Sequence, residues 1–344
     1  MHLPNKILVF QTAFLGDVVL TLPLVQVLHR EFPHAQVDFV ATPKASSVLR
    51  NHPAIHSIIE YDKRGSQRGL RGMMAIAGVL KAGRYDVALV PHRSLRSGIV
   101  VAMSGIPRRI CFETAAGRIL FNETVPYDKT IHETERDLSF LKTLHIDPPK
   151  KELPVLYPSK EDADLVGQWF TKMKVQSKRT VIAIAPGSVW NTKRWPGERF
   201  STLAKKIVAE GGNVVLVGGK EDEELCRQIS VEAGGEGVSV SAGSFSILQS
   251  AEIIRRCTAL VSNDSAPMHL AVSMGTPVIA LFGATVPSFG FAPYGEKDVV
   301  VQTEGLSCRP CSIHGGDRCP IGTFDCMMNI SPEFVFEKLA RWIS

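Results

Sequence analysis

The sequence predicts an α/β protein made of two doubly wound domains. Short β-branched runs alternate with helical patterns along most of the 344 residues. The runs are continuously apolar, as in parallel sheets that are covered by helices on both faces. A chain of this length corresponds to about two domains of ordinary size. Since ligands bind at the carboxyl ends of strands in such sheets, we expect a cleft between the domains.

The first domain is assigned to residues 1–155. Its predicted strands are Lys6–Gln11, Gln36–Ala41, Ile55–Tyr61, Asp86–Pro91 and Arg108–Phe112. Its predicted helices include Leu20–Phe32, Lys44–Asn51, Gly69–Lys81 and Glu133–His145. The Pro-rich stretch "IDPPKKELPVLYP" follows and is interpreted as a linker.

The second domain is assigned to residues 156–330. After a helix at Ser159–Lys174, the strand "TVIAIA" enters a Gly-Ser turn, and a helix opened by Pro196 follows. Four more strands alternate with helices: "NVVLV", "VSVSA", "ALVSN" and "TPVIALF". The last helix, residues 331–344, is predicted to pack back on the first domain.

Composition narrows the class of protein. The chain is 44% hydrophobic and 21% charged, and its net charge of +5 favours an anionic partner without demanding nucleic acid. We expect no signal peptide and no membrane helix, because Asp17 and Pro23 break the first apolar stretch and no window reaches about 18 apolar residues. An odd number of cysteines, seven, does not suggest a disulfide scaffold, so a cytoplasmic protein is expected.

The loop "QTAFLGD" after the first strand excludes one large class of nucleotide-binding proteins. It contains one glycine, whereas dinucleotide-binding folds carry G-x-G-x-x-G at this point. The P-loop pattern is absent as well. A nicotinamide or flavin dehydrogenase is therefore not expected, and phosphate is expected to bind in the second domain.

Asp17, which follows Gly16 in this loop, has two compatible interpretations. As a helix N-cap, its carboxylate would accept hydrogen bonds from free amides. As a general base facing a cleft, it would remove a proton from a bound hydroxyl, since the helix start favours the ionised form. Only the second interpretation explains why Asp17 would lie at the opening of the expected cleft between the domains.

The residue types in the stretch "APGSVWNTKRWP" are suited to binding a diphosphate. Gly187 permits close approach of the backbone, Ser188 offers a hydroxyl and Lys193 a mobile cation. The alternative is a solvated lysine beside a packed Trp195–Pro196 pair.

The stretch "LVSNDSAPMHLAVSMGTPVIALFG" is the most specific string in the chain. Ser265, Ala266 and Pro267 open a helix whose free amides and dipole favour a phosphate. Asp264 and His269 could hydrogen-bond sugar hydroxyls, although His269 could equally be a buried structural histidine. Earlier, Glu221 follows a strand and glycines, where it could accept from a ribose hydroxyl.

Three weaker signals remain open. Cys308, Cys311, Cys319 and Cys326 match the spacing of a zinc site only in part, and buried thiols or a loop over the acceptor are alternatives. The pattern Asp162-Ala163-Asp164 matches D-x-D but is interpreted as the acidic start of a surface helix. Arginines of the first half are a solvated face or a site for an anionic glycolipid core; those assigned to acceptor binding, with Gly16, are Arg64, Arg93 and Arg96.

Three strings carry a resemblance: "LGDVVLTLPL", "APGS…TKRWP" and "NDSAPMHLAVSMGTPVIALFG". They resemble the ADP-heptose:lipopolysaccharide heptosyltransferases of glycosyltransferase family 9, over essentially the whole chain. The Cys-rich segment is more similar to the second heptosyltransferase of the inner core than to the first. The resemblance implies two Rossmann-like domains of the GT-B type, an ADP-heptose donor and a lipid A–core acceptor.

The resemblance also assigns roles to residues. Asp17 matches the proposed base of an inverting transfer, Ser188 and Lys193 the diphosphate contacts, and Glu221 the ribose contact. The donor loop is Asp264, Ser265, Ala266, Pro267, Met268 and His269. Because Lys193 and amides would offset the charge of the leaving ADP, no metal or other cofactor is expected.

We therefore expect a heptosyltransferase that acts on a heptose I acceptor, as a monomer in the cytoplasm with peripheral contact to the inner membrane. The alternatives are a transferase of the same fold with another sugar or acceptor, a sugar-nucleotide epimerase, and a non-catalytic nucleotide-sugar binder.

Overall fold

Two six-stranded parallel sheets form the frame of the protein in a computed structural model, which describes residues 3–175 and 180–343. The chain divides into unit 1, Met1–Tyr157, and unit 2, Pro158–Ser344. Each sheet belongs to one unit. The α/β architecture with two doubly wound sheets is confirmed.

Unit 1 winds its strands in the order β3-β2-β1-β4-β5-β6. The strands are β1 Lys6–Phe10, β2 Gln36–Ala41, β3 Ser57–Glu60, β4 Val87–Val90, β5 Arg108–Phe112 and β6 Glu123–Val125. The helices are α1 Leu15–Glu31, α2 Pro43–Ser46, α3 Gly69–Gly83, α4 Leu95–Met103 and α5 Glu133–Leu138, with 3-10 turns at Ser47–Leu49, Arg118–Leu120 and Ser139–Leu144.

Unit 2 repeats this winding, because its order β12-β11-β10-β7-β8-β9 is the same path read from the opposite edge of the sheet, with β7 and β10 at the centre. The strands are β7 Val181–Ala185, β8 Asn213–Leu216, β9 Val238–Val240, β10 Ala259–Asn263, β11 Val278–Phe282 and β12 Val299–Gln302. The helices are α6 Lys160–Lys172, α7 Gly197–Ala209, α8 Glu223–Glu232, α9 Ile247–Arg255, α10 Ala266–Ser273, α11 Asp325–Met328 and α12 Pro332–Ile343. Further 3-10 turns cover Asn191–Lys193, Lys220–Asp222 and Pro287–Phe289.

The predicted elements are present with shifted ends, and one edge strand of each sheet, β6 and β12, was not predicted. The first helix begins at Leu15, five residues before the predicted start. Asp17 is therefore the third residue of α1 and not its N-cap, which is Phe14.

The carboxyl-terminal helix packs in the core of unit 2, and its predicted packing on the first domain stays a prediction. Val335 and Leu339 of α12 are completely buried in the core of unit 2, beside α7. The apolar face of α12 thus finds its partner in the unit that directly precedes it in sequence.

None of the helices in the described part of the chain has the length and apolar character that are needed to span a bilayer.

Candidate active site

The strand order places the candidate residues at one topological switch point in each unit. In unit 1 the connections diverge between β1 and β4, and in unit 2 between β7 and β10. Ligands of open α/β sheets bind outside the carboxyl ends of the strands at such points. Asp17 follows β1, the arginine-containing segment 92–96 follows β4, and the two motifs of unit 2 follow β7 and β10.

Asp17 closes the start of α1. Its Oδ2 accepts the backbone N–H of Phe14 at 3.0 Å, so the carboxylate satisfies one of the free amides of the helix terminus. The side chain is only partly buried. The structural and the catalytic interpretations of Asp17 are therefore compatible, since one oxygen caps the helix and the other can face a ligand.

The surroundings of Asp17 raise the pKa of its carboxyl group above the value of an aspartate in water. Burial raises the pKa of Asp17 to about 6, the charge of Glu133 adds to this, and Arg93 acts in the opposite direction. Glu133 itself is held by Arg136, whose Nη1 lies 2.7 Å from Glu133 Oε2, and by the Tyr127 hydroxyl at 3.2 Å. A carboxylate with a pKa near neutrality suits general base catalysis.

Asp137 is linked to the backbone of Asp17 through the hydroxyl of Thr21. The Thr21 hydroxyl is 2.9 Å from the carbonyl oxygen of Asp17 and 2.6 Å from Asp137 Oδ2, and one hydroxyl proton cannot serve both. If the Asp137 carboxyl group is protonated, it can donate to Thr21 and leave the hydroxyl proton for the carbonyl of Asp17. Burial raises the pKa of Asp137 well above its usual range, and its Oδ1 is buried without a partner. Sequence reasoning did not find Glu133 or Asp137.

A basic cavity of about 420 Å³ lies in unit 1 and is lined by Lys63, Arg64, Arg68, Ser94 and Arg96. Arg96 donates to the carbonyl of Lys63 at 2.7 Å, which joins the segments after β3 and β4. Burial and the charges of Arg64 and Arg96 lower the pKa of Lys63 to about 8. Two of the predicted acceptor residues, Arg64 and Arg96, are therefore brought together, and Lys63 was missed.

The other two predicted acceptor residues do not line this cavity. Arg93 lies over the ring of Tyr127, 4.1 Å from its centroid. Gly16 is the second residue of α1, next to Asp17. Both therefore belong to the surroundings of Asp17.

In unit 2, Lys193 and Asp264 meet. Lys193 Nζ lies 2.6 Å from Asp264 Oδ2, and the Thr285 hydroxyl donates to the same oxygen at 2.6 Å. Both side chains of the ion pair are largely buried, and such a pair holds a cation at a fixed position. The motifs after β7 and β10 thus form one site.

Asn263, the last residue of β10, fixes these two motifs to each other. Its Oδ1 accepts the backbone N–H of Trp195 at 3.0 Å, and its Nδ2 donates to the carbonyl of Pro186 at 2.8 Å. The side chain is completely buried. Its place at the end of the predicted strand, directly before Asp264, was the available signal.

The backbone at Gly187 leaves room for a carboxylate. A Cβ at Gly187 would lie 2.1 Å from Asp222 Oδ1, so Gly187 allows Asp222 to approach. Ser188 is buried, and its carbonyl accepts from Arg194 Nε at 2.7 Å, so Arg194 is tied to the loop. Glu221 is exposed on the 3-10 turn after β8.

The start of α10 is more accessible than its interior. Ser265 is the N-cap, and Ala266 and Pro267, the first two residues of the helix, are half-buried. Met268 is completely buried and His269 almost so, with 6% of its surface exposed. The side chain of Met268 therefore packs in the core, and within the predicted donor loop Ser265, Ala266 and Pro267 are the partly exposed residues.

The late cysteines form no metal site in this structure. Across residues 3–175 and 180–343, no three Asp, Glu, His or Cys side chains converge where they could hold a metal ion. Cys308, Cys311, Cys319 and Cys326 are free thiols, and only Cys326 among these four is buried. Backbone amides that donate to its sulfur lower the pKa of Cys319. Asp162 accepts from the Ser159 amide at 3.0 Å as a helix cap, which fits a surface role.

Two doubly wound sheets, with polar residues gathered at the switch point of each, define the GT-B class of glycosyltransferases. Solved structures agree with this class. A glycosyltransferase family 9 protein from Veillonella parvula superposes with a TM-score of 0.89 at 25% identity, covering 100% of this chain and 98% of that one. The ADP-heptose lipopolysaccharide heptosyltransferase II of Escherichia coli gives a TM-score of 0.78 at 26% identity, covering 98% of both chains.

Sequence comparison points to the same group. The lipopolysaccharide heptosyltransferase 2 of Escherichia coli K12 is 28% identical, covering 97% of each chain. The lipooligosaccharide heptosyltransferase 2 of Haemophilus influenzae is 26% identical, covering 97% of this chain and 98% of its own. A model of glycosyltransferase family 9 (heptosyltransferase) matches residues 73–316. The chain belongs to this family and is a glycosyltransferase, as the sequence motifs predicted.

Proposed function

We propose that this protein is an inverting heptosyltransferase, which transfers heptose from ADP-heptose to the heptose I unit of the lipopolysaccharide inner core. The full-length similarity to lipopolysaccharide heptosyltransferases 2 supports the sugar and the acceptor class. The observation that carries the mechanism is Asp17, a partly buried carboxylate with a raised pKa at the switch point of unit 1.

Asp17 acts as the general base in this proposal. Its carboxylate takes the proton of the acceptor hydroxyl, and that oxygen attacks the anomeric carbon while the bond to ADP breaks. A single displacement of this kind inverts the anomeric configuration. At neutral pH most of the Asp17 population is ionised, yet its pKa lies close enough for efficient proton transfer.

Unit 2 binds the donor in this proposal. Lys193 and the amides at Ser265, Ala266 and the residues that follow meet the diphosphate, where they stabilise the charge that develops on ADP. Pro267 has no amide hydrogen and sets the direction of the first turn. Gly187 and Ser188 form the adjacent loop wall, Glu221 accepts from the ribose, and Asp264 holds Lys193 in position. His269 and Met268 support α10 from the core side.

The basic cavity of unit 1 binds the acceptor in this proposal. Phosphates and carboxylates of a lipid A–core molecule would meet Arg64 and Arg96 there, together with Lys63, while Gly16 and Arg93 border the reacting hydroxyl. The enzyme works as a cytoplasmic monomer with peripheral contact to the inner membrane, where such an acceptor is anchored.

The test is transfer by the Asp17→Asn variant. Loss of the base should lower kcat by about 10²–10⁴-fold while ADP affinity changes by less than about twofold, because the asparagine amide oxygen can still accept from the Phe14 N–H and keep the helix start intact. Product masses with ADP-heptose and defined truncated cores measure the activity. Near-normal transfer would remove Asp17 from this role.

A reaction without acceptor completes the test. An epimerase would release an isomer of the donor in the absence of lipid, and a non-catalytic binder would leave the donor intact even with acceptor present. Either result with the unaltered enzyme would overturn the proposed function.

A further inference from the structure

Helix α3 presents an unusual face to solvent. Its exposed positions carry apolar side chains or glycine and two cations, with no carboxylate and no uncharged polar group; they are Gly69, Leu70, Arg71, Met74, Ala75, Gly78, Val79, Lys81 and Ala82. Leu70, Met74 and Val79 are 74%, 53% and 52% exposed. The outer face of a helix on a soluble domain is normally charged and polar.

The opposite face of α3 already has its partner. Gly72, Met73, Ile76, Ala77 and Leu80 are buried in the core of unit 1. The helix is therefore apolar nearly all round, although only one side is covered by protein. Such an exposed apolar face marks an interaction surface.

The segment that contains α3, between Asp62 and Asp86, carries charge of one sign. Residues 63–84 contain six cations and no carboxylate: Lys63, Arg64, Arg68, Arg71, Lys81 and Arg84. An apolar helix face flanked by Lys and Arg is the composition of helices that lie in the interface of anionic membranes. A protein partner with a matching apolar patch would not by itself require this excess of positive charge.

The face is continuous with the basic cavity. Arg68 is the N-cap of α3 and also lines that cavity, together with Lys63 and Arg64. Helix α4 packs beside α3 and adds exposed Leu95 and Met103 to the same part of unit 1. A surface that touches a bilayer here would bring headgroup anions directly to the cavity.

We propose that the exposed face of α3 is a docking surface for an anionic lipid bilayer, with Leu70 and Met74 inserted among the headgroups and Arg71 and Lys81 paired with lipid phosphates. The biological setting rests on the proposed function, which places the acceptor in a membrane. The docking itself requires only the composition of this face.

The experiment is flotation of the full-length protein with vesicles of phosphatidylcholine that contain about 30% phosphatidylglycerol. The double variant L70Q/M74Q should reduce the bound fraction at least about tenfold, because it removes two inserted apolar side chains. R71Q should weaken binding and its dependence on salt. V231Q is the matched control, since Val231 is 77% exposed on α8 of unit 2 and should have no effect.

Turnover of a water-soluble, deacylated acceptor separates docking from catalysis, and L70Q/M74Q should leave it unchanged. Equal vesicle binding by L70Q/M74Q and the unaltered protein would overturn the proposal. So would a concentration-dependent dimer, measured by light scattering, that L70Q/M74Q abolishes, because a second copy would then cover this face. Failure of transfer with normal flotation would refute the proposed function and leave the docking surface standing.

Discussion

In the proposed mechanism, the side chain of Asp17 contributes both to folding and to catalysis. One carboxylate oxygen closes the first turn of α1, while burial and Glu133 keep the group close to its protonated form. An ordinary exposed aspartate titrates near 4 and would be a weaker base at neutral pH. In the proposed mechanism the helix cap therefore positions the base, and the surroundings of Asp17 adjust its pKa.

The pH dependence of transfer follows from this pKa. Because the base must be ionised, kcat/KM should fall about tenfold for each pH unit below about 6 and level off above it. Initial rates measured between about pH 4.5 and about pH 8 would define this limb. In the Asp17→Asn variant the remaining activity should no longer decrease at low pH. If the decrease persists with the same midpoint, a group other than Asp17 is responsible for it.

Asp137 should affect stability in the opposite way from a salt-bridged aspartate. Its pKa is higher in the folded than in the unfolded chain, so its contribution is fully present below about pH 4 and is lost as the pH rises. Asp137→Asn keeps a donor toward Thr21 without an ionisable group. We expect this variant to raise the Tm by several degrees at about pH 8 but hardly at about pH 4, as measured by calorimetry. An equal shift at both pH values would contradict a protonated Asp137.

Sequence reasoning found Asp17 but not its neighbours, for a physical reason. Asp17 stands in a strand–helix loop, and its position is a local signal. Asp137 is 116 residues away from Thr21 in sequence, and only the packing of α5 on α1 brings them together. Lys63 was likewise hidden among many basic residues, because nothing in its local pattern distinguishes a cavity wall from a solvated surface.

At the scale of elements, the loops after β7 and β10 depend on close packing. Because Gly187 has no side chain, the Asp222 carboxylate can lie against its backbone. Asp222 Oδ2 in turn accepts the backbone N–H of Gly219 at 3.0 Å. Asn263 ties the first of these loops to β10. The proposed donor site is thus a set of turns that hold one another in place.

Gly187→Ala should therefore disturb the donor site. The added methyl group would meet the Asp222 carboxylate, whose short side chain cannot withdraw without losing its bond to Gly219. We expect ADP affinity to fall at least about tenfold in isothermal titration calorimetry, which corresponds to about 1.4 kcal/mol or more. Gly78→Ala is the matched control, since a Cβ there has no neighbour within 4 Å. Unchanged ADP binding in Gly187→Ala would show that the loop adapts.

Periodicity predicted most elements, and the exceptions have identifiable causes. The edge strands β6, "ETV", and β12, "VVVQ", are short and half-buried, so they lack the continuous apolar run that identified the inner strands. The pattern of α12 predicted an amphipathic helix correctly, but an apolar stripe does not specify which core it joins. Packing against α7 decided that question.

At the scale of the whole molecule, each unit has its own sheet, its own core and its own candidate site. A segment comprising residues 158–344 should therefore fold alone and bind ADP, whereas residues 1–157 should not bind it. Thermal unfolding with and without ADP checks this, with a rise in Tm expected only for the first segment. Aggregation of segment 158–344, or a rise in the Tm of segment 1–157, would contradict this division.

The repeated strand order has a consequence for how such enzymes can diverge. In the proposed function one unit binds the acceptor and the other the nucleotide, so substitutions that change the specificity of one unit need not disturb the other. Recombination near the junction at Tyr157 could therefore exchange the donor specificity of such an enzyme and preserve its acceptor specificity. Two units with the same strand order and separate candidate sites thus allow two specificities to change independently.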